Sequence, residues 1–342
     1  MANRFERRMA ILRGKRQGSF DRNQHYLERA SRTKVARKAR HHLRAMRPVV
    51  LKTPRFSLPE RFLDDLAVDL RLGQPTIFCR TLSLAPLEGC TAQQARSWLM
   101  NAFANFCLLN TEPSSVLRVS SSHDFRVLMK ELFRRAEATD RRCLLVHGID
   151  TLPTEALRDL VAVFEDHVHH RRGAPGFNLL LAGLELPEWA AHPAVVSLTL
   201  PDFSDEEAVE ALVEQLGPEN HLQYSALVAT VGGIPEVIEA LGSDRSTHIN
   251  RIVRDPSAFW AVLGPLAESL RKAHHDAIQR PALADRLRSL ATRGPLAPYP
   301  ELDDALAQVG LVETSGQTPT MLTTALRAPV LADLILSPEI SS

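Results

Sequence analysis

The sequence predicts an α/β fold in which a parallel five-stranded sheet carries helices on both faces, followed by a helical region and a C-terminal domain with a small hairpin. Three observations predict this arrangement. Short apolar runs alternate with helical patterns over residues 47–202, helical patterns alone follow, and two strand-like runs enclose a glycine near the C-terminus. Alternating strands and helices are typical of crossovers that join parallel strands and cover both faces of a sheet.

The composition is that of an ordinary globular protein. The 342 residues are 44% hydrophobic and 24% charged, and the length predicts roughly two or three domains. No apolar run approaches the roughly 20 residues that span a bilayer, and the N-terminus lacks the apolar core of a secretory signal. The four cysteines form no Cys-x-x-Cys pair, which indicates buried, reduced thiols. We therefore expect a cytoplasmic protein with no metal site and no membrane contact.

Charge is distributed very unevenly along the chain. Residues 1–55 contain 17 Lys and Arg against 3 Asp and Glu, a net charge of +14, whereas the rest of the chain contains 24 against 37, a net charge of −13. Residues 1–46 have fair helix propensity in their second half but no wide apolar stripe. We interpret them as a basic arm that becomes ordered on binding an anionic partner.

The elements of the α/β region follow in a regular order. Five strand-like runs lie at residues 48–52, 76–84, 142–150, 177–184 and 194–200. Helical patterns lie between them at about 59–73, 92–109, 123–138 and 154–168, and the first and last of these carry an apolar stripe along one side. Each crossover between strands therefore contains a helix, apart from the short link between the last two strands.

Beyond Leu200 the pattern is helical. Ser204 and Glu207 form a capping box at the start of a helix that ends at Gly217, and a Gly-Gly-Ile-Pro turn separates the next two helices. From about residue 257 come three more helical segments, then the predicted hairpin "GLVETSGQTPTMLTTAL" and a closing helix "APVLADLIL". Helices followed by a two-stranded wing form a winged-helix pattern.

The order of these segments resembles AAA+ and STAND-type P-loop ATPases. The residues that carry the resemblance are "VVLKTPRFSLPERFLDDL" (49–66), "CLLVHGIDTLP" (143–153), "NLLLAG" (178–183), "LPDFSDEEAVEAL" (200–212) and "VGGIPEVIEAL" (231–241). The resemblance covers about residues 47–335. It implies an AAA+-like core at 47–202, a helical lid at 203–245 and a winged-helix-like domain at 246–342, after the basic arm at 1–46.

The segment placed like the phosphate loop lacks the residues that bind phosphate. In the family the loop reads G-x-x-x-x-G-K-[ST], with glycines for close backbone approach, a lysine for charge and a hydroxyl for Mg²⁺. Here Thr53 and Leu58 replace the glycines, Pro59 replaces the lysine and Glu60 replaces the hydroxyl residue. Ser57 and Glu60 are spaced as a capping box, with Pro59 where its missing N–H costs little. The alternative is a capped helix that never had a nucleotide-binding ancestor.

The third strand supports the same interpretation. Where the family carries a Mg²⁺-binding Asp and a water-activating Glu, this chain has His147 and Gly148, and Asp150 follows. Asp150 is interpreted as a cap or surface residue, with a retained metal ligand as the alternative. Residues 183–200 contain no Arg or Lys to serve as an arginine finger. Because phosphoryl transfer depends on electrostatic stabilisation, we predict a pseudo-ATPase that is not an enzyme and needs no cofactor.

The predicted partner of the basic arm is nucleic acid, with DNA as the first expectation. The candidate contacts are Arg29, Arg32, Lys34, Arg37, Lys38, Arg40 and Arg44. Such a protein would be a scaffold or regulator in a replication, transposition or defence complex, as members of the superfamily are, alongside other protein subunits. Arginine-rich arms also bind acidic proteins, so a protein-interaction platform without nucleic-acid contact is the alternative. A divergent active ATPase is a third hypothesis.

Overall fold

The computed structural model describes residues 29–73, 77–107, 119, 121–137, 141–169, 177–184, 193–243, 247–315 and 322–336. Residues 1–28 of the predicted arm lie outside this set. None of the helices described is both long enough and apolar enough to cross a bilayer.

The predicted five-stranded parallel sheet is confirmed. Its strands are β1 (Val49–Lys52), β2 (Phe78–Ser83), β3 (Arg142–His147), β4 (Phe177–Gly183) and β5 (Val196–Thr199), arranged in the order β2-β3-β4-β1-β5. Every neighbouring pair is parallel. Each strand lies inside its predicted run. Because β1 pairs with both β4 and β5, the loop that follows β1 lies between the carboxyl ends of these two strands.

Helices cover both faces of the sheet, as predicted. They are α1 (Ala30–Arg44), α2 (Pro59–Leu72), α3 (Ala92–Cys107), α4 (Ser122–Glu137) and α5 (Thr154–His169). One core lies between the sheet and α1 with α2, and a second lies between the sheet and α3, α4 and α5. The β-strand residues alternate between these cores, as the two-residue period of a strand requires.

A buried carboxylate joins the three helices of the second core. Asp159 on α5 accepts hydrogen bonds from Arg96 Nε at 2.7 Å, Ser122 Oγ at 2.7 Å and Arg126 Nη2 at 2.7 Å. Its side chain is only 4% exposed. One acidic residue thus ties α3 and α4 to α5 through charge-assisted hydrogen bonds.

The second half of the predicted arm is a helix that packs against the sheet. Ala36, Ala39 and Leu43 of α1 are buried against β1 and α2. The amide of Asn178, on β4, donates to the carbonyl oxygens of Leu43 at 3.2 Å and Arg47 at 3.1 Å at the C-terminal end of α1. Small side chains let the helix approach the sheet closely, so tertiary contacts stabilise a segment whose own apolar stripe is narrow.

The chain after the sheet forms a third core that extends from Phe203 to Leu334. Its helices are α6 (Asp205–Leu216), α7 (His221–Val231), α8 (Pro235–Ser243), α9 (Thr247–Arg254), α10 (Phe259–Val262), α11 (Pro265–Ile278), α12 (Pro281–Arg293), α13 (Pro300–Gln308) and α14 (Leu331–Leu336). The capping box of Ser204 and Glu207 is confirmed. Buried residues of the predicted lid and of the C-terminal region belong to this single core.

The predicted C-terminal hairpin is also confirmed. Strands β6 (Val312–Ser315) and β7 (Thr323–Leu326) pair antiparallel, and Leu296 forms an isolated antiparallel bridge with Thr324. Asp303 on α13 accepts hydrogen bonds from Arg286 Nε at 2.8 Å and from Thr324 Oγ1 at 2.7 Å. The hairpin is therefore fixed to the helices before it, and the winged-helix assignment stays a prediction.

Candidate nucleotide-binding loop and basic helix

The loop placed like a phosphate loop joins β1 to α2 at the carboxyl end of the sheet. Ligands of open parallel sheets bind at this end, so the loop lies where a ligand site is expected. Thr53 is buried, and its N–H donates to the carbonyl oxygen of Gly183 at 2.8 Å, which continues the pairing of β1 with β4. The loop proper comprises residues 54–58, and α2 begins at Pro59, as predicted.

The predicted capping box of Ser57 and Glu60 is wrong. The N-cap residue of α2 is Leu58, whose own side chain makes no capping hydrogen bond. Leu58 adopts a left-handed conformation with φ 52°, and Phe56 has φ 65°. Positive φ at two bulky residues is uncommon and persists only where surrounding contacts impose it. Those contacts turn Ser57 into the interior, away from the helix end that it was expected to cap.

The contacts that impose this conformation come from three distant parts of the chain. Three consecutive loop carbonyl oxygens each accept one hydrogen bond. Arg55 O accepts from Arg327 Nη1 at 2.7 Å, and Phe56 O accepts from the N–H of Glu236 at 3.0 Å. Ser57 O accepts from Arg32 Nη2 at 2.9 Å. The loop is thus held by α1, by the start of α8 and by the residue after β7.

Arg327 connects the loop to the C-terminal region. Its guanidinium is 1% exposed and forms a two-point ion pair with Asp202, with Nε–Oδ2 at 2.7 Å and Nη2–Oδ1 at 2.6 Å. The remaining donor reaches Gly310 O at 3.2 Å as well as the Arg55 carbonyl. A Cβ on Gly310, which has φ 83°, would lie 3.0 Å from Arg55 Cβ and 3.1 Å from the Phe56 ring. The C-terminal region therefore packs directly on the loop.

Four carboxylates, those of Glu60, Asp64, Glu236 and Glu239, lie near the start of α2, beside the arginines that hold the loop. Burial raises the pKa of Glu236, and the nearby carboxylates of Glu60 and Glu239 raise it further. Burial lowers the pKa of His147, while Glu60 and Asp64 oppose that shift. Such a group of carboxylates repels a polyphosphate. The described residues contain no cluster of three His, Cys, Asp or Glu that would hold a metal ion.

The candidate residues on the third strand have structural contacts. His147 ends β3, and Gly148 takes a left-handed conformation with φ 76° that starts a short 3-10 helix. The carboxylate of Asp150 accepts the N–H of Leu184 at 2.7 Å. Asp150 is exposed and supports the turn after β4.

The seven candidate nucleic-acid contacts fall into two groups. Four of them make contacts within the protein. Arg29 pairs with Glu210 and Glu214, and Arg32 donates to the backbone carbonyl oxygens of Ser57 and Pro201. Arg40 pairs with the Asp69 carboxylate, and Arg44 contacts the Asp69 carbonyl oxygen. Lys34, Arg37 and Lys38 are exposed. His41 and Arg47 are also exposed, so the outer side of α1 carries only basic charges, and α1 contains no acidic residue.

Sequence reasoning missed Arg327 and Glu236 as residues of this site. Arg327 interrupts the otherwise apolar stretch "TALRAPVL", and an arginine within a buried run indicates an internal partner. Its partner Asp202 lies 125 residues earlier, so the sequence alone does not identify the pair. Glu236 contributes through its backbone N–H, which carries no sequence signal.

Comparison with known proteins supports the fold. No protein-family model and no curated protein matches the sequence. Among solved structures, a Walker-type ATPase from Pyrococcus abyssi aligns with a TM-score of 0.58 and 15% identity, covering 94% of this chain and 97% of that one. A STAND protein with a tetratricopeptide repeat sensor from Pyrococcus horikoshii aligns over 88% of this chain and 42% of that one, with a TM-score of 0.42 and 10% identity. This chain therefore has the fold of a Walker-type P-loop ATPase.

Proposed function

We propose that this protein is a non-hydrolysing relative of P-loop ATPases that serves as a scaffold or regulator bound to nucleic acid. The observation that carries the proposal is the packing of Gly310 and Arg327 on loop residues Arg55 and Phe56. In this arrangement the chain itself makes the contacts that a bound nucleotide would otherwise provide between the loop and the region after the sheet.

Electrostatics supports the same proposal. Transfer of a phosphoryl group requires cations and aligned donors around the phosphate oxygens. At the start of α2 this chain has a proline, which lacks an N–H, followed by Glu60. Glu236 and Asp64 add further negative charge nearby. A triphosphate placed here would meet carboxylates where an active enzyme has a lysine and a metal ion.

We expect no saturable binding of ATP in the presence of Mg²⁺. The measurement is equilibrium dialysis with labelled ATP up to millimolar nucleotide, with circular dichroism to establish that the protein is folded. The reason is the combined loss of a phosphate-binding lysine and gain of acidic side chains beside the loop. Micromolar binding that disappears in Arg55→Ala would contradict the proposal, because Arg55 is the one exposed cation in residues 53–60.

The outer face of α1 supports contact with nucleic acid. Lys34, Arg37 and Lys38 follow helical spacing and lie on an exposed surface that we call the basic face, with His41 and Arg47 beyond them. Charged contacts of this kind bind phosphates without reading sequence, and their affinity falls steeply with salt. The helix contributes no Phe, Tyr or Trp on which unstacked bases would lie, so the chemistry favours the backbone of a duplex.

Replacing Lys34, Arg37 and Lys38 together by Gln is expected to reduce the salt dependence of binding. Each lost phosphate contact changes the slope of log K against log salt by about 0.9, so the slope should decrease by roughly 2–3. The measurement is fluorescence anisotropy with a labelled DNA duplex over a series of salt concentrations.

The matched control removes the same charge from the α/β core. Arg80, Arg141 and Arg158 are exposed but lie outside α1, so their replacement by Gln should leave the slope nearly unchanged. Equal effects of the two triple variants would indicate a general charge effect and would count against the basic face. An unchanged slope in the first variant would exclude α1 as the contact surface.

The second candidate function is a protein-interaction platform without nucleic-acid contact. The observation that favours it is the acidity of α13, the helix before the hairpin, which exposes Glu301 and Asp304 and contains no basic residue. In a winged-helix domain that serves nucleic acid, this region would be expected to be basic. The same anisotropy titration separates the candidates, because a platform of this kind would bind the duplex weakly and without dependence on the basic face.

A further inference from the structure

The start of α1 is capped by the first helix of the lid. The N-cap residue of α1, Arg29, makes no side-chain cap of its own in the described structure. Instead, the Ser31 N–H donates to Glu207 Oε1 at 2.7 Å, and Ser31 Oγ donates to Glu207 Oε2 at 2.7 Å. Glu207 also accepts the N–H of Ser204 at 2.9 Å in its own capping box. One carboxylate, 7% exposed, thus serves the N-termini of two helices.

Neighbouring contacts reinforce this junction. Arg29 is buried and reaches Glu210 on α6 at 2.9 Å, and it also pairs with Glu214 one turn later. The Arg32 guanidinium lies 5.0 Å from the centre of the Phe203 ring and donates to Pro201 O at 3.2 Å. The first turn of α1 therefore contacts the lid helix, the link between sheet and lid, and the phosphate-loop position.

We propose that Glu207 is a positioning residue for the basic face, so that docking of the lid and binding of duplex nucleic acid are coupled. A helix of 15 residues is marginal in isolation, and its first turn depends on a cap. Lys34 lies one turn beyond Ser31, so loss of the Glu207 contact loosens the turn that presents it. The proposal rests on the proposed function, since it assigns a regulator to that same surface.

For substitution of Glu207, the proposed coupling and a simple charge effect predict opposite changes in the affinity for duplex. Glu207 is negative and lies near a basic surface, so removing its charge without any coupling would strengthen binding of a polyanion. Under the proposal, Glu207→Ala weakens duplex binding by roughly five- to tenfold, because binding must also restore the order of α1. Reciprocally, the duplex should slow hydrogen exchange of the α6 amides at residues 205–216.

Three variants distinguish the effect of the Glu207 contact on α1 from the effect of its negative charge. Glu206→Ala removes the same charge from an exposed neighbour and should leave the affinity unchanged or slightly higher. Glu207→Gln removes the charge but keeps an acceptor and a donor beside Ser31, so its affinity should return to within roughly threefold of the unaltered protein. If Glu207→Ala does not fold, Ser31→Ala tests the same contact without a charge change and should weaken binding in the same direction.

The experiment uses the full chain, a labelled DNA duplex and fluorescence anisotropy at fixed salt, with hydrogen exchange of residues 30–44 and 205–216. Weaker binding of Glu207→Ala with recovery in Glu207→Gln supports the coupling. Equal or tighter binding of Glu207→Ala, alongside the same result for Glu206→Ala, overturns it while the basic face stands. Failure of the unaltered protein to bind the duplex overturns both proposals, and it is the one outcome of this experiment that removes the proposed function.

Discussion

Arg327→Met is expected to lower the free energy of unfolding by about 3–5 kcal/mol, because it leaves a largely buried carboxylate without its cation. The partner Asp202 is 10% exposed and receives two hydrogen bonds from the guanidinium. The substitution also removes the donor of the Arg55 and Gly310 carbonyls. The methionine side chain fills much of the volume of the aliphatic part of the arginine side chain. The decrease in the free energy of unfolding therefore measures the loss of the polar contacts. Chemical denaturation followed by circular dichroism measures it.

The matched control is Arg288→Met. Arg288 forms an ion pair with Asp285 at 3.1 Å in which the two side chains are 65% and 76% exposed. Pairs of this kind contribute about 0.5 kcal/mol or less, so the control should change stability little. Limited proteolysis of Arg327→Met should additionally show faster cleavage near residues 53–58, because the loop loses one of its three external contacts. A stability loss below about 1 kcal/mol would show that Arg327 does not fix the loop.

Asp159→Asn is expected to lower the stability by about 3 kcal/mol at neutral pH, because two arginines lose their buried counter-charge. Arg96 and Arg126 both pair with this carboxylate, and their side chains are 15% and 40% exposed. The amide keeps the size of the side chain but offers one acceptor oxygen in place of two. Asp285→Asn, at an exposed pair, is the isosteric control and should have an effect near zero.

The effect of Asp159→Asn should depend on pH with a definite sign. Burial alone would raise the pKa of Asp159, but hydrogen bonds from Ser122, Arg126 and Arg96 outweigh burial and hold the pKa below its ordinary value. A depressed folded-state pKa stabilises the protein above the unfolded value of about 3.9 and ceases to do so as the pH falls through the folded value. The stability difference between the two proteins should therefore be constant near neutrality and shrink below about pH 4. A difference that grows on acidification would contradict this account.

The α/β sheet follows from the sequence because its three inner strands, β1, β3 and β4, are buried on both faces and appear as short, largely apolar runs. The helix α1 did not show this kind of signal. Its stability comes from Asn178, Asp69 and Glu207, which lie far away along the chain and become its neighbours only in the folded protein. The apolar pattern of a segment indicates which of its side chains are buried. The hydrogen bonds and ion pairs of α1 depend instead on which other elements pack against it.

The candidate site was predictable in place but not in detail. The order of strands places residues 53–60 at the carboxyl end of the sheet, and the substitutions there are visible in the sequence. The local spacing of Ser57 and Glu60 suggested a capping box, but contacts from Arg32, Glu236 and Arg327 impose a left-handed turn at Leu58 instead. Tertiary contacts override a local preference of about 1 kcal/mol when several act on one loop.

The bond between Arg327 and the Arg55 carbonyl joins residues 272 positions apart. Because synthesis proceeds from the N-terminus, the loop can gain this contact only after residue 327 has been added to the chain. Contacts of such long range also slow folding, since the intervening chain must be ordered first. A chain that ends before residue 327 therefore leaves the Arg55 carbonyl without its Arg327 donor.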